Sequence, residues 1–142
     1  MKIIIGGDVS PSGILCSYIE RGEFEMIARE IKTLFNDVDY SIINFETTIA
    51  NEDDIPIEKV GSNLKTTPHI IEMLKWMEVN VLTLANNHVG DFGPSALVRA
   101  CKSFEINNIQ YVGAGCDRRD AARPLYLRKK WTYGCDNQLL RA

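Results

Sequence analysis

Lys2-Ile3-Ile4-Ile5 is a β-branched apolar run closed by Gly6-Gly7. A run with no polar alternation predicts a strand buried on both faces. From Gly22 onward the apolar positions fall at Phe24, Ile27, Ala28, Ile31, Leu34 and Phe35, with charges between them. That spacing of 3.6 residues predicts an amphipathic helix. The segment YSIINF, Tyr40–Phe45, reads as a second strand. Residues 51–63 are polar and acidic, break both periods, and predict a long excursion across the active face. Thr67-Pro68 then has the form of a helix start, with Thr as N-cap and Pro in the first turn, and Ile70, Ile71, Leu74 and Met77 supply its apolar side. A third strand is predicted over 79–84. Pro94 opens a helix with an inner face of Leu97, Val98, Cys101 and Phe104. After a turn at Asn107-Asn108, a fourth strand is predicted over 109–112, closed by Gly113-Ala114-Gly115. Leu125-Tyr126-Leu127 reads as a short strand, and 128–142 as an irregular tail without useful periodicity.

Strands alternating with helices predict an α/β fold, a mainly parallel sheet with helices on both faces. Residues 1–127 form the expected domain. At 142 residues and 45% hydrophobic the chain is long enough for one real core. Its 16 basic against 19 acidic side chains give no concentrated positive face, so nucleic acid is not an expected partner. No apolar stretch approaches the ~20 residues that cross a bilayer. The four cysteines form no close pair, and the N-terminus shows no cleavable leader. Both point to reduced thiols and a cytoplasmic setting.

In an open parallel sheet, ligands bind at the carboxyl ends of the strands. The conspicuous polar residues fall there: Asp8 after the first strand, Asn44 and Glu46 at the second, and Asn87, His88 and Asp91 after the third. Taken singly each has a plainer reading. Asp8 reads as a turn residue before Pro11, Glu46 as a solvated charge, and Asn86-Asn87 as a turn. Taken together, Asp8, Glu46, Asn87 and His88 supply two carboxylates, an amide and an imidazole, a set that suits a divalent cation. The histidine beside such a site can give a proton to a leaving group. Val112-Gly113-Ala114-Gly115 lacks the third glycine of a phosphate-cradling loop and reads as a strand-to-loop turn.

The segments GGDVSPSG, INFETTI, KVGSNLKTTP, LTLANNHVGDFG and NNIQYVGAG stand in that order. In this they resemble the bacterial capsule-synthesis family of the poly-γ-glutamate (CapA) type, within the calcineurin-like metallophosphoesterase superfamily. The resemblance runs over residues 2–124 and implies part of a metallophosphoesterase-like sandwich. It also implies the amino-terminal half of a longer pattern, whose second half carries further histidines for the metal. It makes Asp8, Glu46 and Asn87 metal ligands, Glu46 the bridging one. Ser10 stands where many phosphoesterases have a histidine. His88 becomes the catalytic acid, Asp91 the carboxylate behind it that orients it, and Asn44 and Lys59 residues facing the substrate.

The function these readings imply is capsule or poly-γ-glutamate synthesis with a metal-dependent, phosphoesterase-like hydrolase site. The cofactor would be a divalent ion, Mn, Fe or Zn. The partner would be a small-molecule or polymer substrate with a phosphate-like or amide centre. A different class stays open: a non-catalytic interaction module that forms a homo-oligomer through an exposed sheet edge.

Overall fold

Ser41, Ile43 and Phe45 alternate with Tyr40, Ile42 and Asn44, and the strand they form buries the first set while leaving the second partly open. This period of two orients everything that follows. The computed structural model describes residues 1–128 and 139–141. In chain order its elements are β1 (Ile3–Val9), α1 (Ile14–Glu20), α2 (Phe24–Phe35), β2 (Tyr40–Phe45), β3 (Thr48–Ile49), β4 (Lys65–Thr66), α3 (Ile70–Trp76), β5 (Val81–Thr83), α4 (Gly93–Ile106), β6 (Gln110–Val112), α5 (Arg118–Ala121), β7 (Tyr126–Arg128) and β8 (Leu139–Arg141). The main sheet is parallel throughout, in the order β1-β2-β5-β6, and helices flank it.

The helices α2, α3 and α4 lie on one face of that sheet. Ile43, Leu82 and Tyr111 are register partners and so share a face. Phe104 of α4 meets Phe45 edge-on at 5.5 Å and Tyr111 at 6.0 Å. Phe35 of α2 reaches the same face over Gly6, where an added Cβ would lie 3.2 Å from Ile43 Cγ2 and 3.8 Å from Phe35 Cζ. Phe24 of α2 packs on Trp76 of α3, which joins α3 to that layer. The expectation of helices on both faces is therefore corrected for these three. The opposite face of β1 and β2 carries Ile5, 76% exposed, and the partly open Ile3 and Ile42.

That exposure also corrects the reading of β1 as buried on both sides. Among the described residues it is the edge of the sheet, hydrogen-bonded to β2 alone. A β-branched run announces a strand but not its place in the sheet. On α2 the inner residues are Phe24, Ala28 and Phe35, whereas Ile31 and Leu34 are exposed. In α4 the buried positions are Ala96, Ala100, Cys101 and Phe104, with Leu97 and Val98 only partly covered.

Other elements differ in detail. The short α1 follows Pro11 and carries too few residues to display a period. The predicted excursion over 51–63 is flanked by β3 and β4, which pair in parallel with each other. Thr67 supplies its carbonyl, not its hydroxyl, to the first turn of α3, where Ile70 N–H donates to it at 3.1 Å. Inside the stretch expected to be irregular, β8 pairs antiparallel with β7; residues 129–138 and 142 lie outside the described residues. No helix among the described residues is long and apolar enough to cross a membrane.

One irregularity positions the site. The β1–β2 register pairs Ile5 with Ile42 but Asp8 with Asn44, so β1 holds one extra residue at Gly6-Gly7. Without that bulge Asp8 would align with Phe45, on the helix-covered face. With it, Asp8 shares the open face of Asn44.

Candidate active site

Strands β1, β2 and β5 are neighbours, so their carboxyl ends form one rim. The register carries Asp8 beside Asn44 and Asn44 beside Thr83. Asn44 Nδ2 donates to Asp8 Oδ1 at 2.8 Å and lies 3.5 Å from Glu46 Oε2. Glu46 is fixed in turn by its backbone N–H, which donates to the Val9 carbonyl at 3.1 Å. A hydrogen bond shared with Asp8 pushes the Glu46 carboxyl above its ordinary value. Partial burial and the like charge of Asp8 add to that effect, and nearby His88 opposes it. Two carboxylates in contact repel unless a proton or a cation lies between them.

His88 stands at the same rim. Its imidazole Nδ1 is 2.8 Å from Asp91 Oδ2, and the Asp91 side chain is fully buried. Asp91 also takes a hydrogen bond from the Lys59 ammonium on Oδ1 and one from Leu64 N–H on Oδ2 at 2.7 Å. Burial alone would raise the Asp91 carboxyl, but these donors, with His88, hold it below the usual carboxylate range. A carboxylate acceptor assigns the Nδ1 proton of His88. Nε2 is then the nitrogen left to exchange a proton.

The excursion earns its length here. Ile57 N–H donates to the Asp91 carbonyl at 2.9 Å, so residues 57–64 are clipped to one aspartate at three points. Asp54 pairs with Arg99 of α4 and clips the earlier part. Lys59, expected to face substrate, puts its ammonium on Asp91, 3.2 Å from His88 Nδ1. Asn44, expected in the same role, is engaged with Asp8 and with two donors on its other end, Thr83 Oγ1 and Asn86 Nδ2, both at 3.2 Å.

The rim thus brings together Asp8, Asn44, Glu46 and His88, with Asp91 and Lys59 behind the histidine. Asn87 is exposed and takes no part in this network among the described residues. Besides Thr83, two residues not expected at the site from the sequence take part. Thr48, buried in β3, donates its hydroxyl to the His88 carbonyl at 2.8 Å. Asn86 accepts the His88 N–H at 3.0 Å and donates to Phe45 O at 3.0 Å. Thr48 gives no sequence signal because it acts through backbone. Asn86 and Asn87 are the same residue type side by side, and only the fold says which one turns inward.

Asp8 and Glu46 fit two of the oxygen ligands that a divalent ion takes, and their mutual repulsion would be relieved by one. The described residues contain no group of three or more His, Cys, Asp or Glu placed to enclose an ion. A separate groove of about 630 Å³, bordered by Tyr40, Asn80, Gln110 and Pro124, lies toward the amino ends of the strands, away from this rim.

The family model described as bacterial capsule synthesis protein PGA_cap matches residues 2–133. The chain belongs to this family. Among curated relatives, this PGA_cap chain is 27% identical over 122 residues to a capsule biosynthesis protein CapA of Bacillus anthracis, covering 84% of the chain and 30% of the relative. It is 26% identical over 123 residues to a PGA biosynthesis protein CapA of Bacillus subtilis, covering 87% of the chain and 32% of the relative. A probable polyglutamine synthesis accessory protein of Mycobacterium tuberculosis is 34% identical over 85 residues, 60% of the chain and 22% of the relative. The PGA_cap chain therefore spans about a third of the length of the two Bacillus relatives, less than the half implied by the resemblance.

Proposed function

We propose that this chain serves capsule or poly-γ-glutamate production as a metal-dependent hydrolase of the phosphoesterase type. Its substrate would be a small molecule or polymer with a phosphate-like or amide centre. The observation that carries the reading is the convergence of the Asp8 and Glu46 carboxylates on the Asn44 amide, on the rim that also holds His88. Asp8 and Glu46, with Asn87 turned inward from its exposed position, would hold a Mn, Fe or Zn ion. Such an ion would supply Lewis-acid polarisation of the reacting centre. His88 holds a proton on Nε2 for the leaving group. Asp91 keeps the opposite nitrogen protonated and the ring oriented, while Lys59 balances the charge of Asp91.

Calorimetric titration of the chain with Mn²⁺ tests this directly. Affinity should fall roughly tenfold or more in Asp8→Ala and in Asn87→Ala. Equal affinity in all three proteins removes the metal assignment. Hydrolysis of a chromogenic phosphodiester, lost in His88→Ala, tests the chemistry.

A second reading, a non-catalytic module that pairs with another copy, is favoured by the edge of β1, unpaired among the described residues, with Ile5 exposed beside it. Sedimentation separates the two. A monomer with esterase activity supports the enzyme, and an inert dimer that Ile5→Lys dissociates supports the module.

A further inference from the structure

We infer that Asn86 is the positioning residue of this rim: its side chain fixes where His88 stands relative to Asp8 and Glu46. The inference rests on the functional reading above only for what the spacing is used for; the spacing itself follows from hydrogen bonds. The chain turns sharply after β5, with Asn86 N–H donating to the Leu84 carbonyl at 2.9 Å. Gly113 lies so close on the other side that a Cβ there would sit 2.7 Å from Ala85 Cβ. The turn is thus pressed against β6 but needs a tie toward β2, where the carboxylates are.

Asn86 makes that tie. Its Nδ2 donates to Phe45 O and to Asn44 Oδ1, and its Oδ1 accepts the His88 N–H. The directions of both amides, Asn44 and Asn86, are forced. Two carboxylates face Asn44, so its nitrogen must point to them and its oxygen to Thr83 and Asn86. Asn86 must then present its nitrogen to β2 and its oxygen to His88. Flipping either amide sets oxygen against oxygen. The result is an unbroken path from Asp8 through Asn44 and Asn86 to the backbone of His88, with Thr48 holding the other side of the same residue. An aspartate at position 86 has the same shape but cannot donate, and an alanine can do neither.

The chain has only two histidines, His69 and His88, which makes the test clean. His69 sits at the start of α3, apart from this path, and serves as an internal control. NMR spectra of the imidazole groups and of the His88 amide are recorded without metal for the wild type and Asn86→Ala. In the variant the His88 signals should shift and broaden, and His69 should not move. Mn²⁺ affinity should fall roughly tenfold. If Asn86→Ala does not fold, Asn86→Ser, whose side chain is too short to reach β2, carries the same comparison. Signals of His88 that superimpose on those of the wild type overturn the inference. A wild type that binds no Mn²⁺ sinks the metal reading instead, while the His88 signals still decide the role of Asn86.

Discussion

Asp91 is the residue on which the site is most concentrated. A fully buried carboxylate that holds an ammonium, an imidazole and a backbone N–H cannot lose its charge cheaply. Asp91→Asn leaves the Lys59 ammonium without its anion, and breaking a buried pair in this way costs about 3 kcal/mol or more. Urea unfolding at pH 7 should show that loss. The acid dependence follows from the depressed carboxyl. Against an unfolded value of about 3.9, its contribution is complete above about pH 5. It drains away as pH falls through the folded value, where both states become protonated. Asp91→Asn should therefore flatten the acid limb of the stability curve, and an unchanged limb would assign that dependence to other carboxylates. The link between Asp91 and His88 was implied only by the family resemblance, not by any period or spacing. Asn86 was not legible, since two adjacent asparagines carry identical information, and Lys59 was visible as a cation but not as the partner of a buried acid.

At the scale of elements, the main-sheet strands were legible as apolar runs and the long helices by their period, and short pieces such as α1, β3 and β4 were not. What the period hides is which face is covered. Ile31 and Leu34 continue the stripe of α2 but lie beyond the reach of the sheet. Substitutions there, such as Leu34→Gln, should change stability by no more than about 0.5 kcal/mol. Phe104 differs from them because it is fully buried between Phe45 and Tyr111. Phe104→Ala removes both ring contacts and opens a cavity, at a cost of about 3–5 kcal/mol. Thermal unfolding of the two variants side by side checks this: near-equal losses would mean that the helical layer is not where the core lies.

For the molecule as a whole, parallel order was legible from alternation, but one-sidedness was not, because a sequence shows no difference between a helix above the sheet and one below it. The layer of α2, α3 and α4 shields the centre of the sheet, whereas among the described residues β1 has a neighbour on one side only. Hydrogen exchange should accordingly be slowest in β2 and β5 and fastest at β1, with the outward amides of Ile3 and Ile5 exchanging first. Uniform protection across the four strands would contradict this. The doubled glycine in β1 gives the architecture a counting rule. Removing Gly7 shortens the strand by one step and rotates everything after it by half a turn, so that the acid of residue 8 would face oil and its valine neighbour would face water. A single codon thus decides on which face of the sheet the carboxylate of Asp8 resides, and a Gly7 deletion should yield a chain that scarcely folds.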